Sequence, residues 1–315
     1  MYRITLRTLI AFGTWTLPVV AVIALLVWTG GERGDVRLWV GAACAAVIAC
    51  GWWGTNAQHE LLRVRSQAVS STFVALAAAM PFVHAFMPAY LAAMGLVAFY
   101  FFLCASYDAE RPEGCVFQAF ALLCVGAYFF PPLFDLVPVM WLAMLLFLRN
   151  LTWRCWLASV FGLAVPALFY WAWLFWHDAG LTALDFVKPY WHFEVPDWRA
   201  VPMWKRVNAG FLAFQVLLAF LHYYRGNYRD KIKVRMLFYT FIMAEVFVLA
   251  GLAWYPDDFE AWMLLACVNS APLIAHYWAL ARGGWPMTLW FLLNVGALVA
   301  LGLYNAHLLK MIPWT

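Results

Sequence analysis

The chain has 315 residues, of which 66% are hydrophobic and 11% charged, with a formal net charge of +4. Soluble domains carry roughly 25% charged residues, so a water-soluble globule is excluded. The apolar runs are continuous, which argues against the alternating strands of a membrane β-barrel.

A span needs roughly 20 apolar residues, and the composition supplies on the order of ten. MYRITLR opens the sequence with Arg3 and Arg7. The apolar run that follows, about 8–29, is too long for a secretory signal and ends without a small-residue cleavage site, so it is read as a retained first span. A second run covers about Leu38–Trp53. Residues 67–107 contain no Asp, Glu, Lys or Arg. They are predicted to form two spans with a turn near His84–Pro88, since a single helix of that length overshoots the bilayer. Gly114–Leu148 holds one charge, Asp135, and is broken by Pro131–Pro132, which a continuous helix does not accommodate. It divides into two short spans or encloses a re-entrant element. Cys155–Trp176, Val207–Tyr224, Met236–Trp254, Ala261–Leu280 and Trp285–His307 complete about eleven spans. Pro18, Pro81, Pro138, Pro166 and Pro272 are expected to kink theirs.

With a cytoplasmic N-terminus, thirteen of the twenty Lys and Arg fall on inner segments; fusing Gly114–Leu148 into one span makes the division even. Positive-inside bias favours the first arrangement, with the C-terminus outside. The expected fold is an all-α transmembrane bundle with three parts: a seven-span portion (1–176), an outer aromatic loop (177–206) and a four-span portion (207–315). The seven cysteines include no C-x-x-C and read as unpaired thiols, and nothing suggests a metal, a cofactor or a nucleic-acid surface.

Three groups of residues could carry chemistry. Gln215, Glu245, Asn269 and Asn294 each fall near the middle of their own span. An acid there costs roughly 2.5–3.5 kcal/mol, so Glu245 is expected to face the bundle and find a partner. Interhelical hydrogen bonding and proton or ion coupling both fit this layer. The outer loop gathers Asp185, Tyr190, Trp191, His192, Glu194, Asp197 and Trp198. Aromatic faces beside acids suit a sugar ring, whereas an interfacial segment explains the same composition without a ligand. A short helix over Leu181–Lys188, lying along the membrane, is predicted on its apolar spacing. The third group, Arg225, Arg229, Lys231, Lys233 and Arg235, sits directly below a span, where it sets topology and attracts anionic lipid. The connector NAQHELLRVR lacks H-E-x-x-H spacing, and the chain contains neither a phosphate-cradling glycine loop nor a G-x-S-x-G elbow.

Several landmarks recur together. Asn56, Glu60 and Arg63 form N-x-x-x-E-x-x-R; FFPPLFDLVPVMWLAMLLFLRNLTWRCWLASVFGLAVP follows; Lys231, Lys233 and Arg235 make a K-x-K-x-R turn; and a proline-bearing span ends near Tyr277 and Trp278. In these the chain resembles an uncharacterised bacterial family of polytopic inner-membrane proteins, a domain of unknown function. The resemblance implies an envelope protein of a Gram-negative bacterium and supplies no catalytic residues.

The expected role is a non-enzymatic subunit or assembly factor in envelope biogenesis, with the lipid bilayer and a membrane protein as partners. Two alternatives stay open: a transferase or polymerase acting on lipid-linked glycans at the outer face, and a proton-coupled transporter or flippase centred on Glu245. The short loop after the first span, with Glu32 and Asp35, counts against the transferase.

Overall fold

The computed structural model describes residues 13, 15–29, 35–64, 66–107, 109–177, 196–281 and 283–311. Among them are eleven α-helices and no strand: α1 Thr16–Thr29, α2 Val36–His59, α3 Ala68–Ala78, α4 Ala89–Ser106, α5 Glu113–Phe129, α6 Leu136–Ala143, α7 Trp153–Trp176, α8 Met203–Gly226, α9 Ile232–Trp254, α10 Phe259–Leu280 and α11 Trp285–Met311. Eight helical stretches are long and apolar enough to cross a membrane; α1, α3 and α5 are apolar but shorter. The chain is a multi-pass membrane protein, all-helical among the described residues.

Helix boundaries follow local chemistry. Asp35 caps α2 by accepting the Arg37 N–H at 2.8 Å, which satisfies a donor the first turn leaves open. Thr152 does the same for α7 through the Cys155 N–H. Glu60 ends α2 in the left-handed region at φ 50, and Arg149, at φ 52, ends a π turn over Met144–Leu148. Pro131 and Pro132 begin a tight 3-10 turn, Pro131–Asp135, between α5 and α6, where their missing N–H groups cost no helix bond.

Two expectations are corrected. α2 continues to His59, six residues beyond Trp53, so Asn56 and His59 stand on the helix and not in the connector. Pro81 starts a 3-10 turn after α3 has ended, so it bends the connection rather than a span. Pro166 and Pro272 do lie inside α7 and α10.

α10 is the central post. Of its most apolar stretch, 94% is buried, against 17% for α7 and for α11. It packs on α3, α4, α8 and α9, while α5 joins α4 to α7. Glycines permit the closest approaches. A Cβ on Gly95 would stand 2.8 Å from the Leu122 carbonyl oxygen and 2.9 Å from the Gly126 Cα, and one on Gly162 would stand 2.5 Å from the Phe117 carbonyl oxygen. Trp52, Tyr100, Phe238, Phe241 and Trp262 fill the centre with fully buried rings, mostly in edge-to-face contact.

Candidate functional site

Glu245 lies on the face of α9 that buries Phe238, Phe241, Val248 and Leu252, three and four residues apart. Its side chain therefore points to the bundle interior, and the residue is 1% exposed. Asn269 of α10 donates from Nδ2 to Glu245 Oε2 at 2.7 Å and to the Phe241 carbonyl at 3.2 Å. Tyr100 of α4 donates its hydroxyl proton to Asn269 Oδ1. Three helices thus meet in a directed chain, Tyr100 to Asn269 to Glu245, which fixes the carboxyl and leaves Glu245 Oε1 without a hydrogen-bond partner among the described residues.

The other two amides of the expected layer form a separate pair. Gln215 of α8 donates to Asn294 Oδ1 of α11 at 2.6 Å, and Asn294 donates to its own helix at Trp290. A second α8–α11 clasp lies nearer the N-terminus of α8. There Asn208 and Asn305 exchange amide bonds at 3.0 and 2.9 Å, and Asn305 also donates to the Ala79 carbonyl. With so little of α11 buried, these amides supply much of what orients it.

A charged cluster lies at the end of the bundle that carries the basic turn. Asp230, between α8 and α9, has a side chain 1% exposed; Arg63 Nε donates to its Oδ1, and His276 Nε2 of α10 stands 3.2 Å from its Oδ2. Burial alone would raise this carboxyl, but His276 and then Arg63 outweigh it and hold Asp230 below the usual carboxylate range. Beside it, Lys231 bridges Glu60 at 2.7 Å, and that hydrogen bond and charge lower the Glu60 carboxyl. Asn56 folds the connector towards the pair by accepting the Leu62 N–H and donating to the Ser66 carbonyl. Arg229 stacks over Tyr228, Arg225 is exposed, and Lys233 and Arg235 are half-buried.

At the opposite end of the bundle an open cavity of about 520 Å³ is lined by Phe130, Lys205, Asp257, Asp258, Phe259 and Glu260, with the starts of α4 and α8 beside them. Lys205 bridges Glu260 at 2.6 Å, and its ammonium lies 5.5 Å from the Trp204 ring and 5.9 Å from Phe82. The cavity lining sets three acids and one base beside the rings of Phe129, Phe130 and Phe259.

Of the outer-loop candidates, Asp197 and Trp198 are described. Asp197 accepts the Arg199 N–H in a local turn, while Trp198 donates to the Ala253 carbonyl at 3.1 Å and packs on Phe259, a cavity wall. Asp185, Tyr190, Trp191, His192, Glu194 and the helix expected over 181–188 lie outside the described residues.

Sequence reading missed Tyr100, Asn208, Asn305 and the Asp230–His276–Arg63 cluster. The available signals were Asp230 as an acid within a basic turn and His276 near the end of an apolar helix. Compared with family models, with curated proteins and with solved structures, the chain finds no match.

Proposed function

We propose that this chain is an inner-membrane subunit of a bacterial envelope-biogenesis system, and that its work is to hold the polar end of a membrane-resident amphiphile in the cavity around Lys205 and Glu260. The cavity carries the reading. It is built from the ends of α4, α5, α8 and α10 and from the turn that joins α9 to α10. Such convergence gives a site at membrane-surface depth in which a charged rim meets aromatic walls. In this reading all eleven helices span or enter the bilayer, the N-terminus is cytoplasmic, the C-terminus is outside, and the cavity opens outward. The 13-to-7 division of Lys and Arg supports that orientation. The role is binding and handling, not bond chemistry.

The test is complementation in the bacterium that carries the gene. Deletion is expected to weaken the envelope, read as sensitivity to detergent and to large antibiotics. Ala261→Trp, which fills the cavity, is expected to express normally and fail to complement. A deletion strain with an intact envelope, or full complementation by Ala261→Trp, refutes the proposal. A second reading, proton coupling at Glu245, is favoured by an Oε1 that meets no hydrogen-bond partner among the described residues, and it makes the opposite prediction: Glu245→Gln fails and Ala261→Trp works.

A further inference from the structure

The lining of the 520 Å³ cavity is unbalanced in charge. Glu260, in the first turn of α10, is bridged at 2.6 Å by Lys205, in the first turn of α8. That leaves Asp257 and Asp258, neighbours in the 3-10 turn Pro256–Asp258 that joins α9 to α10. An Asp in front of a helix ordinarily serves as its cap, accepting an N–H of the first turn. Asp258 stands at that position of α10, yet its side chain accepts no such bond. Among the described residues neither aspartate enters an ion pair or a side-chain hydrogen bond. Lys205 is the one base in the lining, and the bases nearest to it in sequence, Arg199 and Arg206, pair with neither carboxylate. Residues 178–195, outside the described residues, carry Asp178, Asp185 and Glu194 against Lys188, so their composition brings no excess of positive charge.

Two like charges on adjacent residues repel each other, and a cation between them removes that repulsion. The kind of cation follows from the donors and acceptors. Ionised carboxylates are acceptors only, so Asp257 and Asp258 suit a partner that brings its own N–H bonds. A primary ammonium has three, whereas a trimethylated one has none. A metal ion fits poorly, because among the described residues no three acids, histidines or cysteines come together to hold one. The rest of the wall is apolar. Met87, Pro88 and Val201 line it with the buried rings of Phe130 and Phe259, and Phe129, 43% exposed, carries it out onto the surface of α5. Such rings add their own attraction for an ammonium within about 6 Å of a ring face.

From this lining we infer that the amphiphile held in the cavity ends in a primary ammonium, which donates to the Asp257 and Asp258 carboxylates while its chains leave along Met87, Val201 and Phe129. The inference rests on the cavity reading of the proposed function and names the headgroup which that reading leaves open. Phosphatidylethanolamine has this chemistry, and the phosphate of such a headgroup has Lys205 on the same lining. Phosphatidylcholine carries the same charges without an N–H to donate. Phosphatidylglycerol has no cation and a net negative charge, which the two aspartates repel.

The experiment uses the whole protein in nanodiscs of equal parts phosphatidylethanolamine, phosphatidylcholine and phosphatidylglycerol with identical chains, released for native mass spectrometry. Wild type is expected to retain one phosphatidylethanolamine about fivefold over either competitor, the upper end of what a partly exposed ion pair supplies. Asp257→Asn together with Asp258→Asn, which keeps the shape and removes the charge, should erase that preference. Asp197→Asn, an exposed acid outside the lining, should preserve it. Ala261→Trp should abolish retention of all three lipids. A variant-free measurement accompanies these: phosphatidylethanolamine with a photoreactive chain should label peptides containing Met87 or Phe129. Equal retention of the three lipids by wild type, a preference that survives in the folded double Asn variant, or labelling confined to other helices would each overturn the inference. Equal retention that Ala261→Trp abolishes would overturn the headgroup alone and uphold the cavity, whereas retention untouched by Ala261→Trp would overturn both. Stabilisation by spermidine without retained phosphatidylethanolamine would assign the carboxylates to a free polyamine and overturn the lipid.

Discussion

Asn269 Nδ2 and Glu245 Oε2, 2.7 Å apart, join α10 to α9 at a depth where neither group has water to fall back on. The same amide group also bonds the Phe241 carbonyl, and its oxygen is occupied by Tyr100, so Asn269 is the hub and Glu245 its dependent.

Glu245→Gln is therefore expected to leave unfolding free energy within about 0.5 kcal/mol of wild type, because Gln keeps an oxygen for Asn269 to donate to. Glu245→Ala should cost about 1 kcal/mol, the usual scale of an interhelical hydrogen bond in a membrane. Urea unfolding in detergent measures both. A folded Glu245→Gln protein that fails to complement would transfer the function to proton coupling.

The Asn208–Asn305 pair should behave as a coupled unit. Replacing either residue by Leu leaves the other amide facing an apolar neighbour, whereas replacing both removes the mismatch. The double variant is expected to lose less stability than the two single losses combined, by roughly 0.6 kcal/mol, in a double-mutant cycle. Simple additivity would mean that the pair does not orient α11.

Asp230 predicts a pH dependence. Its carboxyl in the folded chain lies below the usual range, so its contribution is complete above the unfolded carboxyl value of about 3.9 and drains away as pH falls through the lower folded value. At neutral pH Asp230→Asn should cost about 2 kcal/mol. That is less than the figure for a fully buried pair, because the Arg63 side chain is 32% exposed. Below about pH 4 the wild type should lose its advantage and approach the variant. A gap between the two proteins that is the same at pH 7 and in acid would contradict this assignment.

Orientation is open to cysteine labelling. Single cysteines at Arg229 or Lys231 should react with a membrane-impermeant maleimide only after the cells are opened, and a cysteine at Asp257 should react in intact cells. The reverse pattern would invert the proposed topology and turn the 520 Å³ cavity towards the cytoplasm.

Much of the helical layout was legible because its determinants are local. Two adjacent prolines at 131 and 132 break a helix wherever they fall, and an uncharged run as long as 67–107 has to fold back on itself. The inward face of Glu245 was legible for a similar reason, since lipid offers a carboxyl nothing. The pairing of the polar residues was not. Four groups at similar depth were expected to form one layer, yet they divide into Gln215–Asn294 and Glu245–Asn269, because partners are set by which helices are adjacent and how each is rotated. Tyr100 was hidden within FYFFLCASY, where a hydroxyl among rings has no pattern of its own. Arg63 and Asp230 are 167 residues apart, and only the packing of the connector against the α8–α9 turn brings them together. The close approach at Gly95 and Gly126 was equally invisible, because a glycine in an apolar helix looks the same whether it faces lipid or a neighbouring backbone.

The burial of α10 bears on how the protein is made. With almost no surface left for lipid, this helix is poorly suited to wait alone in a bilayer, least of all with Asn269 and His276 unmet. Its contact helices α3, α4, α8 and α9 all precede it in the chain. A ribosome working from the N-terminus thus delivers α10 into a socket whose walls are already in place, and α11 arrives last to be pinned at the side. A chain halted just before Phe259 would present that socket empty, with Tyr100 and Glu245 exposed together inside it. Such a product would be a natural target for membrane quality control.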